Sequence, residues 1–156
     1  MRARGFTLIE LVTTVAIIAV LASLALPLSE LAVQRTKEQE LRRALREIRE
    51  AIDAYKQAAD EGRVVRKPGD SGYPQRLEDL ARGIDDQSSP RKERIFFLRR
   101  VPRDPFAADS ELPAAATWGR RSYASPPDDP RDGDDVFDIY SRAPGIGING
   151  RPYREW

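Results

Sequence analysis

The chain has 156 residues, room for one domain of ordinary size. Its 26 basic and 25 acidic side chains leave a net charge of +1, so nothing in the overall balance draws it to nucleic acid. Cysteine and histidine are both absent, which excludes disulfides, thiolate chemistry, a Ser-His-Asp triad, a Cys-His dyad and a zinc hydrolase site.

The ionisable residues are unevenly placed. Met1 to Gly5 form a short basic leader with Arg2 and Arg4. From Phe6 to Leu28 the chain reads FTLIELVTTVAIIAVLASLALPL, and Glu10 is the single ionisable side chain in it. As a helix, about 23 residues reach roughly 34 Å, enough to cross a hydrocarbon core of about 30 Å. The basic leader predicts that residues 1–5 stay cytoplasmic and that the downstream chain lies outside.

Two plain readings compete for this segment. One is a cleavable secretory signal with Ser23-Leu24-Ala25 as its small-x-small cleavage site; the other is a passive membrane anchor. Glu10 argues against both. A carboxylate within a membrane helix costs on the order of 2–3 kcal/mol at the centre, and such an acid marks function by default. Pro27 lacks an N–H and predicts a kink or loosening of the helix, although it also fits a simple membrane exit.

Over residues 29–61 the pattern becomes striped. Leu41, Leu45, Ile48, Ile52, Tyr55 and Ala59 alternate at spacings of four and three, with Ala44, Ala51 and Ala58 widening that face. The opposite face is charged, and Glu38–Arg42, Arg43–Glu47, Arg46–Glu50 and Arg49–Asp53 are candidate i,i+4 pairs. The interleaved acids make a solvated or subunit-facing surface, not a nucleic-acid site, the expected role of Arg42, Arg43, Arg46 and Arg49. Gly62 predicts the helix end. If span and stripe are continuous, the helix runs about 55 residues, roughly 80 Å, as a stem carrying a head on its upper half.

Residues 62–156 read as a turn-rich head. Gln75 to Arg82 predicts a short helix ended by Gly83. Ile95 to Leu98 fits either a helical turn or an edge strand. Val101 to Phe106 is extended or turning, because Pro102 and Pro105 exclude helix. Arg120 to Ser125 and Asp135 to Ser141 predict strands, and Asn149-Gly150 predicts a tight turn into a last short strand at Arg151 to Trp156. A small antiparallel sheet laid on the helical stripe would bury both apolar faces, giving an α+β fold.

Gly5-Phe6-Thr7-Leu8-Ile9-Glu10, followed by the apolar run and Pro27, resembles the type IV prepilin signature shared by pilins and pseudopilins. In the head, Tyr73-Pro74 before Leu77-Glu78-Asp79-Leu80, Pro102-x-Asp104-Pro105-Phe106, Trp118-Gly119, DVFDIYS at 135–141 and Asn149-Gly150-x-Pro152-Tyr153-x-x-Trp156 resemble the order found in major pseudopilins of type II secretion. The resemblance implies a type IV pilin-like fold. It implies cleavage between Gly5 and Phe6 by a membrane aspartyl peptidase and N-methylation of Phe6. It also implies that the Glu10 carboxylate pairs with the new ammonium of Phe6 on an adjacent subunit. The electrostatics agree, since cleavage creates a cation in a low-dielectric setting and Glu10 is the nearby anion able to neutralise it. A proline at position 27 lies, in such proteins, within a stretch that can unwind as subunits pack.

The implied function is structural, not enzymatic: a subunit of a periplasmic pseudopilus filament that drives protein export. Its implied partners are copies of itself, minor pseudopilins, the inner-membrane assembly platform, the prepilin peptidase and methyltransferase, and the lipid bilayer. The implied location is a single pass through a bacterial inner membrane with the head in the periplasm. A type IV pilin or minor pilin is the near alternative, and a Sec-secreted soluble protein is the alternative of another class. No cofactor is required. Many major pseudopilins bind calcium in the loop after the DVFDIYS-like strand, but here Arg142 to Ile148 contains no acid. Asp128, Asp129, Asp132, Asp134 and Asp135 offer hard oxygen ligands nearby, against the simpler reading of a solvated turn.

Overall fold

The computed structural model describes residues 7–91 and 93–156, with the side chains of residues 24–27 excepted. Pro27, the expected kink, is among those excepted. Helix α1 spans Leu8–Asp60. Its sequence has no glycine and is rich in alanine, leucine, glutamate and arginine, all good helix formers. At its start the Thr7 hydroxyl accepts the Glu10 backbone N–H at 3.3 Å, and Glu10 occupies the capping-box position. At its end Gly62 takes φ +74°; its N–H bonds the Ala59 carbonyl while that of Arg63 bonds the Ala58 carbonyl. This paired closure needs a left-handed residue, which is why the helix stops at the glycine the sequence marks.

The chain divides into two compact units, one ending at Lys37 and the other running from Glu38 to Trp156. In the second, the predicted stripe is the core: Leu41, Leu45, Ile48 and Ile52 are buried, and Ala44, Ala51, Ala58 and Ala59 with them. Helix α2, Leu77–Arg82, adds Leu77 and Leu80 to this core. The Asp79 carboxylate accepts the Arg76 N–H at 3.1 Å, so the helix begins two residues after Gln75, its expected start.

The strands are shorter than expected and form two separate ladders in place of one sheet. Strands β1 (Ile84–Asp85) and β2 (Arg94–Ile95) pair antiparallel. Beyond β2 the Leu80 carbonyl accepts the N–H groups of Phe97 and Leu98, which settles the 95–98 run as a strand end turning into the core. Strands β3 (Trp118–Arg121) and β4 (Asp138–Ser141) pair antiparallel, with Trp118 opposite Ser141 and Gly119 opposite Tyr140. A Cβ at Gly119 would come within 2.3 Å of the Tyr140 ring, so glycine lets that ring lie across the ladder. Trp118, Val136 and Ile139 close the core from this side.

The last strand expected at 151–156 does not form. Gly150 makes the predicted turn at φ +78°, but only a single bridge, Ile146 to Pro152, follows. Tyr153–Glu155 then coils into a 3-10 turn that places the Tyr153 ring on Phe106 at 4.3 Å. Proline at 152 cannot donate to a ladder, which favours this outcome. The 107–117 stretch is tied down: the Arg103 guanidinium donates to the carbonyls of Leu112 and Asp109, and Ala114–Thr117 forms a 3-10 turn.

Because Ile48 is wholly buried at the centre of the core, Ile48→Ala is expected to cost about 2–5 kcal/mol. Denaturant unfolding of the detergent-solubilised chain, followed by the fluorescence of buried Trp118, measures the loss.

Candidate functional site

The first unit carries the segment singled out for processing. Gly5 and Phe6 lie outside the described residues. Glu10 sits in the first turn of α1, and among the described residues its carboxylate makes no ion pair or hydrogen bond. Around it the helix is apolar and exposed: Leu8 is 81% and Ile9 74% accessible, and Val12, Val15, Ile18 and Leu21 are exposed as well. A helix apolar on all sides is covered by lipid or by other helices. The interspersed hydroxyls fit the same solvent. Thr13 donates to the Ile9 carbonyl at 2.7 Å, Thr14 to that of Leu11 at 2.8 Å and Ser23 to that of Val20 at 2.7 Å. Each of these hydroxyls is thus satisfied within the helix, as a segment in hydrocarbon requires. By length and composition this part of α1 can cross a membrane.

In the second unit, polar ties join α1 to the head at the start and the middle of the stripe. The Glu38 side chain is buried, and its Oε1 accepts the Ile148 N–H at 2.8 Å and the Tyr153 hydroxyl at 3.1 Å. Arg42 lies 3.8 Å from the Glu38 carboxylate and stacks over the Trp156 ring at 4.4 Å. Arg49 does not pair with Asp53. Its Nε donates to Asp138 at 2.8 Å, while Nη2 donates to the carbonyls of Trp156 and Ile139. A planar guanidinium gains more from three converging acceptors than from one exposed carboxylate a helical turn away. Between these, Asp104 is buried, accepting the Phe106 N–H at 2.8 Å and the Ser141 hydroxyl at 2.6 Å.

At the top of the head, Arg63 clasps Asp86 through Nε at 3.1 Å and Nη2 at 2.7 Å, and Ser88 donates its N–H and hydroxyl to the other carboxylate oxygen. The Arg63 hydrogen bond, then those of Ser88, pull the Asp86 carboxyl from an ordinary 3.8 down to about 2.

The five aspartates offered as calcium ligands do not converge. Asp129 pairs with Arg131, Asp132 pairs with Arg120, and Asp135 accepts the Tyr123 N–H at 2.9 Å and the Ser71 hydroxyl. Asp128 and Asp134 are exposed. Among the described residues, no three acidic side chains are grouped to hold a metal ion. Calcium asks for six to eight oxygens around one point, and these side chains as placed do not fit it.

Comparison with known proteins accounts for both units. Residues 1–26 match the family model described as the prokaryotic N-terminal methylation motif. Over 154 residues the chain is 26% identical to type II secretion system core protein G of Dickeya chrysanthemi, covering 96% of this chain and 94% of that protein. It is 28% identical over 141 residues to the protein of the same name from Klebsiella pneumoniae, covering 86% and 93% of the two chains. The chain carries a prepilin-type N-terminus and resembles the major pseudopilin along nearly its whole length. No solved structure matches it. The α+β layout, a long N-terminal helix with small antiparallel ladders, is consistent with the pilin-like fold. Buried Glu38 and Asp104 and half-buried Arg49 escape sequence reasoning because nothing marks them off from the many surface charges; Asp104 alone carried a hint, lying inside the Pro102-x-Asp104-Pro105-Phe106 block.

Asp86 binds its proton more weakly folded than unfolded, so its contribution is complete above the unfolded value and is lost as pH falls from about 4 towards 2. Thermal melts between pH 5 and pH 2 are expected to show this loss in the native chain. In Asp86→Asn the slope over that window shrinks.

Proposed function

We propose that the chain is a structural subunit of a pseudopilus filament that serves protein export, held before assembly in a bacterial inner membrane with its head in the periplasm. The observation that carries this reading is the first unit: an apolar helix exposed on every side, one carboxylate in its first turn, and a methylation motif spanning residues 1–26. The similarity to type II secretion core protein G from end to end favours the secretion filament over an adhesive pilus.

Processing at Gly5–Phe6 would leave a methylated ammonium at Phe6, in a medium where an unpaired charge costs several kcal/mol. Glu10 stands four residues away, about one helical turn, with its carboxylate exposed on the helix surface. That position suits a pairing with the ammonium of an adjacent copy once the membrane segments pack together. The chain itself then catalyses nothing. It is a substrate of the peptidase and methyltransferase, and its partners are further copies, minor pseudopilins and the membrane assembly platform.

Intact-mass analysis of the mature chain, made in cells with the processing enzyme, is expected to show a start at Phe6 plus one methyl group. A start near Leu26 would mean a conventional secretory signal and a soluble exported protein. Glu10→Ala is expected to be cleaved normally but to give few filaments by electron microscopy or shear fractionation; full yield from that variant removes the pairing role.

A further inference from the structure

The loop that follows β4 is sorted the wrong way round for water. Gly145 and Gly147 face inward, and a side chain at either would collide with the Tyr153 or the Trp156 ring. Ile146 and Ile148 alternate with them and point out, 63% and 45% accessible. The loop is not loose. The Gly147 N–H donates to the Arg151 carbonyl at 2.9 Å, the Tyr153 N–H to that of Gly145 at 3.1 Å, and the Ile148 N–H to buried Glu38. Two large apolar side chains are therefore held outward by a fixed frame, which calls for an apolar partner outside the fold.

We propose that this loop dips into the surface of an anionic lipid bilayer while the chain is held in the membrane. The inference rests on the membrane anchorage proposed above. Charge points to lipid as the occupant. From Arg142 to Trp156 the exposed charged side chains are Arg142, Arg151 and Arg154 against Glu155, which lies 3.9 Å from Arg151. The adjoining cavity, with Arg151 on its wall, is lined by four arginines and three acids. Glu40 stands two residues past Glu38, hence on the far side of the helix, in a cavity with Arg43, Arg100 and Arg103. Isoleucines flanked by arginines suit an acyl boundary beneath a layer of phosphates. Position agrees with charge. The loop is tied to Glu38, the first residue of the second unit, ten residues in sequence after the apolar run ends at Leu28.

The chain has no cysteine, so one engineered thiol reports on the loop without background. Full-length Pro144→Cys carrying a bimane fluorophore is placed in vesicles of phosphatidylethanolamine and phosphatidylglycerol doped with a nitroxide lipid. Quenching is expected to exceed by about fivefold that of bimane on Gln87→Cys, an exposed site beside the Arg63–Asp86 clasp. Adding Ile146→Ser with Ile148→Ser, or Arg142→Glu with Arg154→Glu, to Pro144→Cys is expected to lower the quenching about threefold. Equal quenching at the two labelled positions, or quenching indifferent to both pairs of substitutions, overturns the loop contact and leaves the anchorage in place. Shielding of the dye that grows with protein density, without nitroxide quenching, means that a second copy covers the loop, and overturns it too. A chain that fails to float with the vesicles overturns the anchorage and this inference together.

Discussion

Leu41, Leu45, Ile48 and Ile52 form one apolar edge of α1, and α2, the β3–β4 ladder and the C-terminal turn are arranged to keep water from it. Neither partner in this contact is stable by itself. A helix of this kind gains most of its stability from packing an amphipathic face, and a ladder of two short strands is marginal in water. Strands of two or four residues therefore persist because they close over the helix, with Trp118, Val136 and Ile139 as the cover. Deep inside, burying one such side chain contributes roughly 1.5–3 kcal/mol.

The polar ties follow from that burial. Loops that cross a helix carry backbone N–H and carbonyl groups into the dry zone, and each must find a partner. Glu38 serves the Ile148 N–H, Arg49 the carbonyls of Ile139 and Trp156, and Asp104 the Phe106 N–H. These charged side chains are placed where the C-terminal loop and the 101–106 segment pass over the helix. They lock a loop-rich head onto α1 without a disulfide, and the five aspartates at 128–135 are engaged with neighbours or exposed instead of gathered around a point.

The first unit obeys a different solvent. Among the described residues its helix has no apolar partner of its own, while Thr13, Thr14 and Ser23 bond internally, a combination suited to lipid. The same helix thus presents an exposed apolar surface long enough to cross a membrane in one unit and serves as hydrophobic core in the other.

The sequence by itself determined the elements governed by local chemistry or by period: the apolar span with its lone Glu10, the stripe from Leu41 to Ala59, the Gly62 stop and the Asn149-Gly150 turn. Each depends on residues within a few positions of one another, so each is legible in one dimension. Strand extents, the two separate ladders and the coiling of 153–155 were decided only in the tertiary structure, because a short strand forms where a distant segment supplies its hydrogen bonds. The same holds for charge. Arg49 has Asp53 one helical turn away and takes Asp138 instead, 89 residues on, because only folding brings three acceptors to one guanidinium.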